Sequence, residues 1–294
     1  MHVLNQLPPY NLFGIEDQSY EKAKIAVLPV PYDSTSTYKA GSRDGPAAII
    51  DASRNLELYD YEIKEDISRL GIYTLEPMAP DLSSSEKMVD NIEKEVTPII
   101  RDGKVPLLLG GEHTIAIGSV RALSKLSKKP FSVLHFDAHS DSRDEIYGAK
   151  YCHACVLARI AELGLDTYSV GIRSIDASSM GKYGKSMLFM DEMHGMPIDE
   201  IVERINSHTS KNIYLTFDFD VLDPAIMPST GTPEPDGLTY YETMQMLKGI
   251  LPEKNLVGMD FTEFSPIPGM VAPDFLAAKL IYQTLGIAYY THLK

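Results

Sequence analysis

An α/β fold of three layers is predicted for this chain: a central, mostly parallel, eight-stranded sheet with helices on both faces. Eight short apolar runs recur along its 294 residues. Most are continuous rather than alternating, as expected of strands buried on both faces. Helix-like stretches lie between them, giving the βαβα rhythm of a sheet built from crossovers. Three polar clusters directly follow three of the runs, at the strand ends where such sheets form ligand sites.

The elements follow in order. Ile25–Val30 is the first strand, and Pro46 suits the first turn of a helix running through Ile49 and Ile50. Leu70–Tyr73 is the second strand. Ser83 with Glu86 has capping-box spacing before an apolar periodicity from Met88 to Ile100. Val105–Leu109 leads to a helix from Thr114 to Leu126, and Ser132–Phe136 to a helix from Ala154 to Leu163. Thr167–Gly171 and Met187–Met190 come next, then a helix from Ile198 to Ser207. After the strand Ile213–Phe217, Thr239 with Glu242 repeats the capping-box spacing before Met244 to Leu251. Leu256–Asp260 is the last strand, and Pro273 to Tyr289 the last helix.

Length and a 44% hydrophobic content suit one large domain over residues 1–294. No linker, low-complexity tract or repeat divides it. The net charge of −14, from 27 basic and 41 acidic residues, argues against nucleic-acid and anionic-membrane partners and is compatible with a cationic substrate. No stretch approaches the ~20 apolar residues of a membrane span. Met1 to Gln6 has neither a basic nor an apolar leader region, so no signal peptide is expected. Two cysteines make no disulfide framework, and the cytoplasm is the expected compartment.

The three clusters are Gly110-Gly111-Glu112-His113-Thr114, Asp137-Ala138-His139-Ser140-Asp141 and Asp218-Phe219-Asp220. They supply four carboxylates and two imidazoles, with no thiolate. Asp137, His139 and Asp141 stand at i, i+2 and i+4, a spacing that aims side chains to one side of an extended segment. Asp218 and Asp220 do the same. His113 follows a Gly-Gly pair, where backbone can approach closely. Six side chains hold two metals only if some bridge, which carboxylates do readily. The mixed O/N set favours Mn²⁺, two per subunit, over a closed structural zinc site. Two adjacent cations sharing a water make a hydrolase.

At these residues the sequence resembles the ureohydrolase family of arginase, agmatinase and their relatives, over nearly the whole chain. The resemblance extends to Phe217-Asp218-Phe219-Asp220-Val221-Leu222-Asp223-Pro224, to the segment from Gly231 to Leu238, to Pro31-Tyr32-Asp33 with the segment from Gly41 to Pro46, and to the segment from Gly258 to Pro266. It implies an arginase-like fold and a homo-oligomer, trimer or hexamer. His113, Asp137, Asp141 and Asp218 would hold one manganese. Asp137, His139, Asp218 and Asp220 would hold the other, so Asp137 and Asp218 bridge. The implied catalytic set is His153, Asp141 and Glu263. Glu263 would grip the substrate guanidinium in a planar, charge-assisted pairing, and His153 would protonate the departing amine.

The GTPEP segment and the N-terminal segment look like the agmatinase branch. The arginase branch carries Asn two residues after the last Asp of its DAHxD motif, where Arg143 stands here. Agmatine, hydrolysed to putrescine and urea in polyamine biosynthesis, is therefore the expected small cationic guanidine substrate. N1-aminopropylagmatine, guanidinobutyrate and arginine are the alternatives, and a non-catalytic metal-binding relative is a further one. A metal-dependent deacetylase of related topology would use one zinc and fewer ligands. Arg143 would repel an ammonium tail unless Asp144 or Glu145 neutralises it. Cys152 and Cys155 have redox-type spacing but read as packed small apolar residues. His135 reads as a hydrogen-bonded core histidine, His194 and His208 as exposed, and Glu112 as supporting rather than catalytic.

Overall fold

The protein is described here from a computed structural model over residues 7–290; the leader reading of Met1 to Gln6 lies outside the described residues. Its elements are β1 (Ile25–Val30), α1 (Gly45–Ser53), β2 (Tyr59–Asp60), β3 (Glu65–Asp66), β4 (Ile72–Thr74), α2 (Ser85–Arg101), β5 (Val105–Gly110), α3 (Ile115–Leu126) and β6 (Ser132–Phe136). They continue with α4 (Val156–Ala161), β7 (Thr167–Ile172), α5 (Ala177–Tyr183), β8 (Met187–Phe189), α6 (Met190–Met193), α7 (Ile198–His208), β9 (Asn212–Asp218), α8 (Tyr240–Ile250), β10 (Asn255–Thr262) and α9 (Val271–Tyr290). The main sheet has eight strands in the order β4-β1-β5-β10-β9-β6-β7-β8. Every neighbouring pair in it is parallel.

The alternation of side chains along each strand feeds two apolar layers. Leu107 and Leu109 of β5 point into one, with Ile49 of α1, Ile201 of α7, Met244 of α8 and Leu280 of α9. Leu108 points to the other face, among Met88 and Ile92 of α2. On the same far side Val133 and Tyr214 pack with Val120 of α3 and Val156 of α4. Three layers result, as predicted. Because all eight strands run one way, their carboxyl ends share one edge. The register aligns Phe261 with both Leu109 and Phe217, and Phe217 with Phe136. The segments leaving β5, β6, β9 and β10 therefore emerge side by side.

Local details differ from expectation in a few places. Ser84, not Ser83, caps α2: its side chain accepts from the Lys87 N–H, while Ser83 bonds to Asp81. Leu70 lies in a 3-10 turn over Ile67–Leu70, and the strand starts at Ile72. Met190 opens α6 rather than ending β8. The antiparallel pair β2-β3 and the helix α5 were not anticipated.

Around α8 the reading of Thr239 and Glu242 holds in both directions: each side chain accepts from the other residue's backbone N–H. Thr239→Ala should lower the unfolding free energy by about 1 kcal/mol, read as a shift in urea midpoint at constant slope, and Thr239→Ser should retain most of it.

Candidate metal centre and substrate cleft

The turn after β5 needs glycine for space. A Cβ on Gly111 would sit 2.1 Å from the carbonyl oxygen of Tyr32, so the chain passes under the N-terminal loop only without a side chain. This brings the buried imidazole of His113 over the carboxyl edge. Its Nδ1 lies 3.2 Å from Asp137 Oδ2, 3.2 Å from Asp141 Oδ2 and 3.4 Å from Asp218 Oδ2, and makes no hydrogen bond. His139 Nδ1 lies 2.8 Å from Asp220 Oδ2 and 3.7 Å from Asp137 Oδ1. All six ligand candidates thus converge, in two groups that share Asp137. Five are buried, and His139 exposes 23% of its side chain to the cleft.

The surroundings hold these groups in place. His135 is the core histidine expected, buried and bonded to Ser169, and its Nε2 also lies 2.7 Å from Asp137 Oδ2. Asp218 Oδ1 accepts from the Asp220 N–H, and Asp220 Oδ1 from the Ala138 N–H. Behind His113 runs a buried chain absent from the sequence reading. Nε2 meets Thr216 Oγ1 at 2.7 Å, and Thr216 and Tyr214 donate to the carboxylate of Asp260. Arg173, also missed, donates to the carbonyls of Asp220, Glu234 and Pro235, tying the GTPEP segment to the metal loop. The available signals were polar residues inside apolar strands, Thr216 and Asp260, and a cation directly after one, Arg173.

Charge crowding is severe. Burial and the neighbouring Asp220 and Asp137 push the Asp218 carboxyl well up. Burial would lower the His113 imidazole, but the carboxylates of Asp137, Asp141 and Asp218 outweigh it and raise it. His139 is raised in the same way: burial opposes, and Asp220 and Asp137 prevail. Three carboxylates around an imidazole nitrogen that has no hydrogen-bond partner, with Asp220 beside them at His139, fit divalent cations rather than a hydrogen-bonded core.

Two non-glycine residues at the centre, Asp141 (φ 45°) and Glu263 (φ 63°), adopt left-handed backbone, each at a cost of roughly 1–3 kcal/mol. Glu263 leaves β10, accepts the His113 N–H at 2.8 Å, and is raised by burial and the nearby Glu112 charge. His153 sits in a 3-10 turn, His153–Cys155, ahead of α4. Burial holds its imidazole below the usual histidine range. Both line a cleft of about 240 Å³ with Thr37, His139, Asp141, Asp218, Asp220 and Thr232. Arg143 and Asp176 stand at the mouth of the same cleft. Asp144, a suggested neutraliser of Arg143, is instead paired with Arg159 at 2.6 Å. The acidic neighbour of Arg143 is Asp176, which caps α5 with Oδ1 and leaves Oδ2 without a hydrogen bond.

Glu112 is buried and points away from the ligands. Burial pushes its carboxyl up to about 7, against bonds from Thr35 and Thr114. Cys152 and Cys155 are both buried, with Sγ atoms 3.1 Å apart, and pack as expected of small apolar residues. His194 is exposed and pairs with Asp236. His208, also exposed, stacks on Tyr168. No helix among the described residues is long and apolar enough to cross a membrane.

Fold and centre together define a hydrolase built around two metals. Residues 23–286 match the Arginase family. The chain is 38% identical over 277 residues to the N(1)-aminopropylagmatine ureohydrolase of Synechocystis, covering 91% of this chain and 90% of that one. It is 38% identical over 281 residues to the enzyme of the same name from Thermus thermophilus, covering 94% of each. Among solved structures, the agmatine ureohydrolase of Thermoplasma volcanium superposes with a TM-score of 0.85 at 34% identity, covering 94% of each chain. The chain belongs to the Arginase family of binuclear-metal hydrolases that act on guanidino compounds.

Divalent metal should raise the melting temperature, by ligand binding to the folded state alone, and a chelator should reverse the rise. In Asp137→Ala and Asp218→Ala the metal-dependent shift should vanish, and metal analysis should find less than the wild-type content. A full shift in either variant would remove that residue from the centre.

Proposed function

We propose that this protein hydrolyses N1-aminopropylagmatine to urea and spermidine with two bound Mn²⁺ ions. This puts the longer polyamine ahead of agmatine, reversing the order that the sequence motifs suggest. The near full-length identity to two enzymes named for that substrate carries the choice. The cleft supports it, with Glu263 at the inner end and Asp176 at the mouth. Those carboxylates suit a guanidinium at one end and an ammonium farther out. Agmatine is the second reading, favoured by the likeness to the Thermoplasma enzyme. One domain, a cytoplasmic site of action and an assembly of three or six chains belong to the same proposal.

One manganese would be held by His113, Asp137, Asp141 and Asp218, and the other by Asp137, His139, Asp218 and Asp220. Bound there, the pair supplies a water acidified toward neutral pH and positive charge for the developing anion. Glu263 receives the planar guanidinium and aligns its carbon. Its backbone bond to His113 ties that alignment to the metal loop. His153, neutral at the outset, would take at Nε2 a proton given up by the attacking water and deliver it to the departing amine nitrogen as the carbon–nitrogen bond breaks.

Urea release should be measured with N1-aminopropylagmatine, agmatine, guanidinobutyrate and arginine in parallel. The highest kcat/KM is expected for N1-aminopropylagmatine; a clear preference for agmatine would replace the proposal with the second reading. Asp176→Asn should raise KM for the longer substrate roughly five-fold, the modest effect of a partly exposed ion pair, with kcat unchanged.

His153 also sets a pH dependence. Burial depresses its pKa, and the neutral ring is the competent form. Activity should therefore persist below the free-histidine value of about 6.5 and fall as pH drops through the depressed one. In His153→Asn turnover should slow and that acid limb should disappear, with both metals retained. An unchanged profile would strip His153 of the role.

A further inference from the structure

Glu112 and Thr35, which the proposed reaction does not use, form a connected set with His153. The Glu112 carboxylate is fully buried beside His113 but turned toward the N-terminal loop. The Thr35 backbone N–H reaches both its oxygens, at 3.1 and 3.2 Å, and the Thr35 hydroxyl donates to Oε2 at 2.6 Å. Thr114 donates to Oε1 at 3.3 Å. With the Thr35 N–H shared between both oxygens and the Thr35 and Thr114 hydroxyls directed at them, a carboxylate accepts every one of these bonds.

Thr35 Oγ1 has spent its one hydrogen on Glu112. Two lone pairs remain. One takes the His153 backbone N–H at 3.2 Å, and the other faces His153 Nδ1 at 3.2 Å. An unprotonated Nδ1 would set lone pair against lone pair. On the far side of the ring, Nε2 faces the Thr37 hydroxyl at 3.4 Å and the cleft. Hydroxyl rotors and ring protons follow from this bonding pattern.

We infer that Thr35, oriented by Glu112, is a positioning residue that fixes the neutral His153 ring as its Nδ1–H tautomer and keeps Nε2 free to take and return a proton at the reacting amine. The inference rests on the proposed proton-carrying role of His153 and adds the device that prepares it. Among the described residues, Thr35 is hydrogen-bonded to Glu112 and His153 and to none of the six metal-ligand candidates. With its hydroxyl removed, the ring loses the acceptor that selects the tautomer, and Nε2 carries the proton in a larger share of molecules. Tautomer control of this kind is what an orienting carboxylate does for a catalytic histidine directly; here a threonine hydroxyl stands between the two.

The test compares Thr35→Val, Thr35→Ser and His153→Asn with the wild type. Ring ¹⁵N shifts of His153 are recorded in Zn²⁺-loaded protein, with the signals assigned by their loss in His153→Asn. Steady-state kinetics are run with Mn²⁺ loaded and metal content verified. The wild type and Thr35→Ser should show the Nδ1–H pattern. Thr35→Val should shift toward Nε2–H and lose kcat by roughly 10- to 100-fold, within the range of general acid–base contributions, at unchanged KM. If His153→Asn is slow but Thr35→Val keeps both wild-type kcat and the Nδ1–H pattern, the positioning role is wrong. A Thr35→Val enzyme that loses turnover while keeping the Nδ1–H pattern also overturns it. If His153→Asn turns over normally, the underlying role of His153 fails instead.

Discussion

Repulsion among Asp137, Asp141, Asp218 and Asp220 is the constraint to which the rest of this molecule answers. Four carboxylates within a few ångströms, nearly all out of water, would be among the most unfavourable arrangements a protein interior can hold. The fold tolerates it because three of the four anions are individually anchored. His135 and His139 hold Asp137, backbone N–H groups hold Asp218 and Asp220, and the chain Thr216–Asp260–Tyr214 fixes the imidazole that faces them. Anchoring fixes position without cancelling charge. The remaining field favours cations at the carboxyl edge of the sheet, which is why a parallel sheet with stiff central strands suits this chemistry.

The central strands supply that stiffness. β5, β10, β9 and β6 are adjacent, buried on both faces and in register at Leu109, Phe261, Phe217 and Phe136. Stacked and edge-on phenylalanine contacts link Phe136, Phe217, Phe219, Phe261 and Phe264 directly beneath the site. Interiors packed this way transmit displacement rather than absorb it. A shift in one strand end therefore moves its neighbours, and the strained backbone of Asp141 and Glu263 persists because packing over-determines it.

Much of this was legible in the residues. Strand interiors are continuous apolar runs, so the eight sheet strands could be read, and the ligands follow three of them directly. What escaped has physical reasons. β2 and β3 are two residues each and carry charged side chains, so no apolar period marks them. The cap of α2 slipped by one because Ser83, Ser84 and Ser85 all offer the same hydroxyl, and only the turn at Asp81 decides between them. Thr35 and Asp176 are ordinary polar residues in loops; their importance comes from what lies across space, 118 residues away for Thr35 and His153. Sequence periodicity reports which face an element buries. It carries nothing about which loop crosses which.

Under the proposed function, the substrate tail would be decided at the mouth rather than at the metals. Every guanidine offers the same carbon to the centre, so selection falls to charges beyond it. Arg143 is exposed there, and an isolated cation would oppose any polyamine. Asp176 changes that balance: Oδ1 is committed to the α5 N-terminus while Oδ2 remains unbonded. A carboxylate already held by a helix end gives up little conformational freedom when a ligand arrives, so its affinity for an ammonium is not spent on ordering itself. On that proposal the pair Arg143 and Asp176 would work as a sign filter. A carboxylate tail would feel the negative charge of Asp176 as well as the positive charge of Arg143, whereas an ammonium would be drawn toward Asp176. On that argument the mouth prefers a cationic tail, and a tail long enough to place its ammonium outside the guanidinium pocket makes the better use of it.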